Sequence, residues 1–104
     1  MIAKLIRDRV PGLIRAQGLE PIIRPASADR LGAYLLAKLR EEVAEFEASA
    51  EPEELADILE VVYALAQALD VSADCLDAIR ERKAVERGRF TRHLVWHGNR
   101  GGAA

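Results

Sequence analysis

The chain has 104 residues, 50% apolar and 31% charged, with a formal net charge of -2, which supports one domain with a modest core and argues against a surface built to coat nucleic acid or an anionic membrane. The single cysteine, Cys75, excludes an internal disulfide and is expected as a small core residue rather than a nucleophile. No apolar run approaches the roughly 20 residues of a membrane span, and the opening residues lack the apolar stretch of a signal peptide, so a cytoplasmic location is expected.

The first 25 residues are the least regular. Pro11 suits the first turn of a helix and Gly18 its end, so a short helix is predicted over 11–17. Pro21 and Pro25 bracket Ile22-Ile23-Arg24, which reads as a brief extended segment. A long helix follows, capped by Ser27 or Asp29 and running to about Ala48. Its apolar positions are Leu31, Leu35, Leu39, Val43 and Phe46, with Leu36 at the edge. The turn 49–52 is short enough to make the next helix an antiparallel neighbour. Pro52 starts that helix, with Glu53 and Glu54 at its positive end. Its apolar positions are Leu55, Ile58, Leu59, Val62, Leu65, Ala66 and Leu69. Ser72 caps a further helix that passes Leu76 and Ile79 and ends at Gly88. Residues 89–96 read as a short strand or an extended arm, with Phe90 and Trp96 as packing or subunit-contact residues. The glycine-rich tail 98–104 is expected to be disordered, leaving 1–97 as a single domain.

The acids of the two central helices carry the chemistry. Projected at about 100° per residue from Leu31, the apolar positions of the first fill an arc from about 0° to about 140°. Glu42 falls inside that arc near ~20°, with Lys38 and Glu45 on its shoulder near ~340° and ~320° and Glu41 further out. In the second helix, Glu54 lies at the margin of the stripe and Asp57 on its shoulder, while Glu60 points away. Both helices therefore carry a pair of acids along one edge of the buried face, and antiparallel packing lets the pairs converge. Four converging carboxylates repel unless a cation or a proton intervenes. Magnesium, a hard cation that takes carboxylate, water and phosphate oxygens, resolves that conflict, and manganese is a possible substitute. The competing reading treats these acids as solvated flanks, with Lys38 as an ordinary ion-pair partner one turn from Glu42.

Basic residues offer phosphate contacts. Arg80, Lys83 and Arg87 share one face of the last helix, although Glu81 and Glu86 also suit a plain solvated end. Lys4, Arg7 and Arg9 surround Asp8 near the start, either as a second phosphate contact or as charged surface. His93 and His97 lack the partners of a zinc set. No glycine-rich phosphate loop and no serine-histidine-acid set is present.

The run Lys38-Leu39-Arg40-Glu41-Glu42-Val43-Ala44-Glu45-Phe46, followed by Glu54-Leu55-Ala56-Asp57-Ile58-Leu59-Glu60, resembles the ExxE…ExxD signature of the all-α nucleoside triphosphate pyrophosphohydrolases. This is the MazG-like superfamily, which includes phosphoribosyl-ATP pyrophosphohydrolases. Lys4-Leu5-Ile6-Arg7-Asp8-Arg9-Val10-Pro11 and Lys83-Ala84-Val85-Glu86-Arg87-Gly88-Arg89-Phe90 resemble the opening and closing segments of its small house-cleaning branch. The resemblance covers most of the chain, from about Lys4 to Leu94. It implies an all-α antiparallel bundle completed by a homodimer or higher oligomer. It also implies hydrolysis of a nucleoside triphosphate between the α and β phosphates, giving a monophosphate and pyrophosphate. Glu42, Glu45, Glu54 and Asp57 would map to the magnesium ligands, and Glu41 to an acid that orients or deprotonates the attacking water. Lys83 and Arg87 match the basic segment, and Lys4, Arg7 and Asp8 the opening motif, so Lys83, Arg87, Lys4 and Arg7, with Lys38, are expected to contact the substrate. Trp96 and His97 have no counterpart. Two alternatives stand beside this reading: a phosphoribosyl-ATP pyrophosphohydrolase, and a non-enzymatic helical interaction module.

Overall fold

Proline and glycine punctuate the chain into helices at the expected places. The computed structural model describes residues 3–101, and those residues form four helices and no strand. The short α1 spans Val10–Ala16, with Pro11 in its first turn. Gly18 ends it at φ +84, a left-handed conformation that glycine adopts without a Cβ penalty. The segment 19–27 carries no regular structure, as two prolines in five residues require.

Helices α2 (Ala28–Ser49) and α3 (Pro52–Ala68) form an α-helical hairpin. Ser27 occupies the N-cap of α2, but its side chain does not cap; only its carbonyl accepts, from Arg30 and Leu31. The turn between the helices is made by Ala50, left-handed at φ 54, whose N–H donates to the Phe46 carbonyl at 2.8 Å. Helix α4 (Ala73–Arg87) is capped as its sequence demands, with Ser72 Oγ accepting from the Cys75 N–H at 3.1 Å. It packs against α3 alone, while α1 lies against no other helix. Cys75 is exposed, which corrects its expected place in a core: the first turn of α4 has no layer above it.

The core is thin. Leu35 of α2 and Val61 and Ala66 of α3 are the buried apolar residues among those described. The apolar stripe expected for α3 is split in two. Ile58, Val61, Val62 and Leu65 sit buried or half-buried, whereas Leu55, Leu59 and Leu69 are exposed. The helix carries more apolar circumference than one neighbour can cover, and Val61, outside the expected stripe, sits on the covered side. On α2, Leu36 and Val43 are likewise exposed. The chain is elongated, with a radius of gyration of 18.9 Å and extents of 69 × 32 × 25 Å. A compact domain of this length would have a radius of about 13 Å.

Residues 89–101 carry neither helix nor strand, so the short strand considered for 89–96 is not formed. Trp96 is exposed and its Nε1–H donates to Asn99 Oδ1 at 3.0 Å. Of the tail expected to be disordered, 98–101 lacks regular structure and 102–104 lies outside the described residues, as do Met1 and Ile2 at the other end. No helix among the described residues is long and apolar enough to cross a membrane.

Candidate metal centre

The hairpin brings the two acid pairs together. One carboxylate oxygen from each of Glu42, Glu45, Glu54 and Asp57 lies within 4.8 Å of the others. The pairs sit at the closed end of the hairpin, where the C-terminal half of α2 faces the first turns of α3, so the two-residue turn sets their register. Glu42 is the deepest: it is 6% exposed, although it is a charged residue. Glu54 and Asp57 are half-buried and Glu45 is exposed.

Burial and repulsion act on this group as electrostatics requires. Glu42 Oε1 lies 3.4 Å from the Lys38 ammonium. Its carboxyl is nevertheless pushed above the ordinary glutamate range, first by burial and then by the neighbouring Glu45 charge, which outweigh Lys38. Glu42 Oε2 and Glu54 Oε2 are buried and have no hydrogen-bond partner. Leaving such atoms unpaired costs about 1–3 kcal/mol each, and more when charged. An all-oxygen set with two orphaned buried oxygens fits a hard divalent cation such as magnesium or manganese, and suits a thiophilic metal poorly.

Cations surround the cluster on the other side. Glu41, half-buried and adjacent in sequence, accepts from Lys4 Nζ at 3.0 Å and Lys38 Nζ at 3.5 Å. The Lys4 contact is the main cause holding the Glu41 carboxyl below the ordinary range, and Glu41 in turn raises Lys4. Arg7 reaches Asp57 at 2.7 Å. The opening segment thus lies across the hairpin with Leu5 and Ile6 half-buried, and helps wall a cavity of about 410 Å3 beside Glu42 and Asp57.

Of the residues singled out in the sequence, Lys4, Arg7, Lys38, Glu41, Glu42, Glu45, Glu54 and Asp57 therefore gather at one place. Lys83 and Arg87 do not join them within this chain: both are exposed on α4, and neither lines the cavity. Arg80 is engaged by Asp77 at 2.9 Å and Glu81 at 3.2 Å, as a solvated helix end would be. Sequence periodicity overlooked Tyr63 and Gln67, which line the cavity from α3. For Gln67 the i+3, i+4, i+3 series through Asp57, Glu60 and Ala64 was the available signal; Tyr63, six residues from Asp57, had none.

The chain is similar to an uncharacterized protein of Mycolicibacterium smegmatis (strain ATCC 700084 / mc(2)155), 56% identical over 48 residues. The match covers 46% of this chain and 49% of that relative, about half the length of each. No family model matches the chain, and no solved structure matches it.

Proposed function

We propose that the protein is a magnesium-dependent nucleotide pyrophosphohydrolase. It would cleave a surplus or modified nucleoside triphosphate in the cytoplasm to a monophosphate and pyrophosphate. The observation that carries this reading is the convergence of four carboxylates within 4.8 Å, two of them with a buried, unpartnered oxygen. Glu42, Glu45, Glu54 and Asp57 would hold the cation, which supplies charge neutralisation for the polyphosphate and Lewis acidity toward phosphate oxygens and water.

The chain's own residues divide the remaining work. Glu41 is kept ionised by Lys4 and Lys38, so it accepts a hydrogen bond from the attacking water and orients it in line with the α-phosphorus. Its lowered basicity suits orientation better than proton removal. Glu42, raised by burial, is the more basic of the adjacent pair. Lys38 and Arg7 border the cavity and compensate phosphate charge. Lys83 and Arg87 can serve the same end only if another copy of the chain brings them near. The elongated shape and the exposed apolar faces support such an assembly, a helical bundle completed by a homodimer or higher oligomer.

A second reading, the non-enzymatic interaction module, is favoured by one observation: Lys4, Arg7 and Lys38 already pair with Glu41, Asp57 and Glu42. Incubation with magnesium and a panel of nucleoside triphosphates and phosphoribosyl-ATP separates the possibilities. Monophosphate plus pyrophosphate, lost with EDTA, supports the main reading. Turnover of phosphoribosyl-ATP alone selects the related hydrolase. Orthophosphate release, or no turnover with no magnesium-dependent thermal shift, sinks the assignment.

A further inference from the structure

The cavity beside the acids has an order that the cluster alone does not explain. Its volume of about 410 Å3 is in the range that holds a small-molecule ligand. Its charged lining comes from Glu42, Asp57, Lys38, Arg7, Asp8 and Glu60, the last of which the helical projection has pointing away. Asp57, Glu60, Ala64 and Gln67 follow one another at helical spacing along α3 and all contribute to the lining. Gln67 therefore lies about 15 Å along the helix axis from Asp57. Tyr63 stands beside that line, and Leu5 and Ile6 of the opening segment supply apolar wall. The ion pairs of Lys4 with Glu41 and of Arg7 with Asp57 fasten that segment to both helices, so the wall is held at two points.

We propose that this cavity is the nucleoside subsite, with the base against the Tyr63 ring and its edge hydrogen-bonded to the Gln67 carboxamide. The inference rests on the pyrophosphohydrolase reading, which puts the phosphates at the Asp57 end and directs the nucleoside along α3 toward Gln67. The two side chains do different things. An aromatic face stacks on any base, so Tyr63 contributes affinity with little preference. A carboxamide presents a donor beside an acceptor and rewards a base edge with the complementary order, so Gln67 contributes selectivity. Both are nucleoside-binding residues of α3 that make no contact with the reacting phosphorus, and of the two only Gln67 sets specificity.

The test measures kcat and KM of the full-length protein with magnesium for the natural ribo- and deoxyribonucleoside triphosphates. Wild type is compared with Tyr63→Ala, Gln67→Ala and the cavity-filling Ala64→Leu, and the magnesium-induced thermal shift is recorded without nucleotide. Tyr63→Ala is expected to raise KM about 10-fold or more for every base. Gln67→Ala is expected to raise KM for the preferred base and to draw the kcat/KM ratios between bases toward unity. In both, kcat and the magnesium shift stay near wild type. Gln67 is exposed, so its replacement does not threaten the fold. Unchanged KM values and base ratios in Gln67→Ala and Ala64→Leu, with wild-type turnover, would overturn the subsite and leave the pyrophosphohydrolase reading standing. A wild-type protein that turns over none of the natural nucleoside triphosphates, no modified nucleoside triphosphate and no phosphoribosyl-ATP overturns both.

Discussion

The Arg7 guanidinium sits 2.7 Å from the Asp57 carboxylate, joining the opening segment to α3 across fifty residues of sequence. Asp57 is thus both an ion-pair partner and a proposed cation ligand, and the two roles compete for the same charge. Both side chains are partly exposed, so the pair contributes about 0–1 kcal/mol to stability. Arg7→Ala should lower Tm by no more than about 4–8 °C. Titration calorimetry should show magnesium binding up to about 5-fold tighter in that variant, because a competing cation is gone. Its kcat/KM should fall, because a phosphate contact is gone as well. Weaker magnesium binding in Arg7→Ala would contradict the competition.

Glu42 is the acid whose burial is hardest to explain without a cation. Glu42→Gln removes the charge and keeps the shape. Without metal, thermal unfolding should show this variant to be as stable as wild type or more so, since a desolvated carboxylate has been relieved. With magnesium the order reverses, because only wild type gains the mass-action stabilisation of a bound ion. Turnover should drop by at least ~100-fold, beyond the loss usual for groups that merely support a metal ligand. An equal magnesium shift in both proteins would remove Glu42 from the metal set.

The helices were legible because their punctuation is local. Pro52, Ser72 and Gly88 act within a turn of where they stand, and each marks the expected boundary. The acid pairs were legible because i, i+3 spacing on two neighbouring helices is itself a statement about one edge of a hairpin. Which apolar residues of α3 lie inside was not legible. Val61 and Leu59 differ in burial only because α2 covers one side of the helix, and periodicity does not say which side has a neighbour. The cavity escaped for a similar reason: Leu5, Tyr63 and Gln67 line one cavity through the path of the opening segment, which has no period to read.

The turn that sets the acids' register carries a removable cost. Ala50 holds φ 54, a left-handed conformation that disfavours any residue with a Cβ by about 1–2 kcal/mol. Glycine avoids that cost but loses more freedom on folding, which offsets part of the gain. Ala50→Gly should therefore stabilise the hairpin by about 0.5–1 kcal/mol, seen as a rise of a few degrees in Tm. A lower Tm would mean that the turn relaxes in solution to a conformation that alanine prefers.

Acid should loosen the start of the C-terminal arm. Arg89 grips Glu81 with two contacts, at 2.9 and 3.0 Å, and this is the main reason the Glu81 carboxyl is held below its ordinary value of 4.5. A carboxylate whose pKa is depressed by folding adds stability above its unfolded pKa and loses it as pH falls through the folded value. The tie between α4 and the arm is therefore fully present at and above about pH 4.5 and opens only as the pH falls further, through the lowered folded value. Side-chain carboxyl NMR should give Glu81 a midpoint under the ordinary value, returning toward it in Arg89→Ala. A Glu81 midpoint indifferent to that substitution would show that the contact is not kept in solution.

The uncovered apolar faces make the last prediction. Leu36 and Val43 on α2, Leu55 and Leu59 on α3 and Leu69 at its C-cap are exposed, while the buried apolar residues among those described are Leu35, Val61 and Ala66. Fully burying one such leucine is worth about 1.5–3 kcal/mol, so a second copy that covers several would supply more than the thin internal core can. Light scattering should give at least twice the mass of one 11.5 kDa chain. Leu59→Asp puts a charge on the exposed face without touching the covered one. It should shift the protein toward monomer and cost turnover, while leaving the four carboxylates of its own hairpin in place. If Leu59→Asp becomes monomeric yet keeps full activity, Lys83 and Arg87 of another copy play no part at the acids. If wild type itself is a monomer, the apolar faces have another use and the bundle is not completed by self-association.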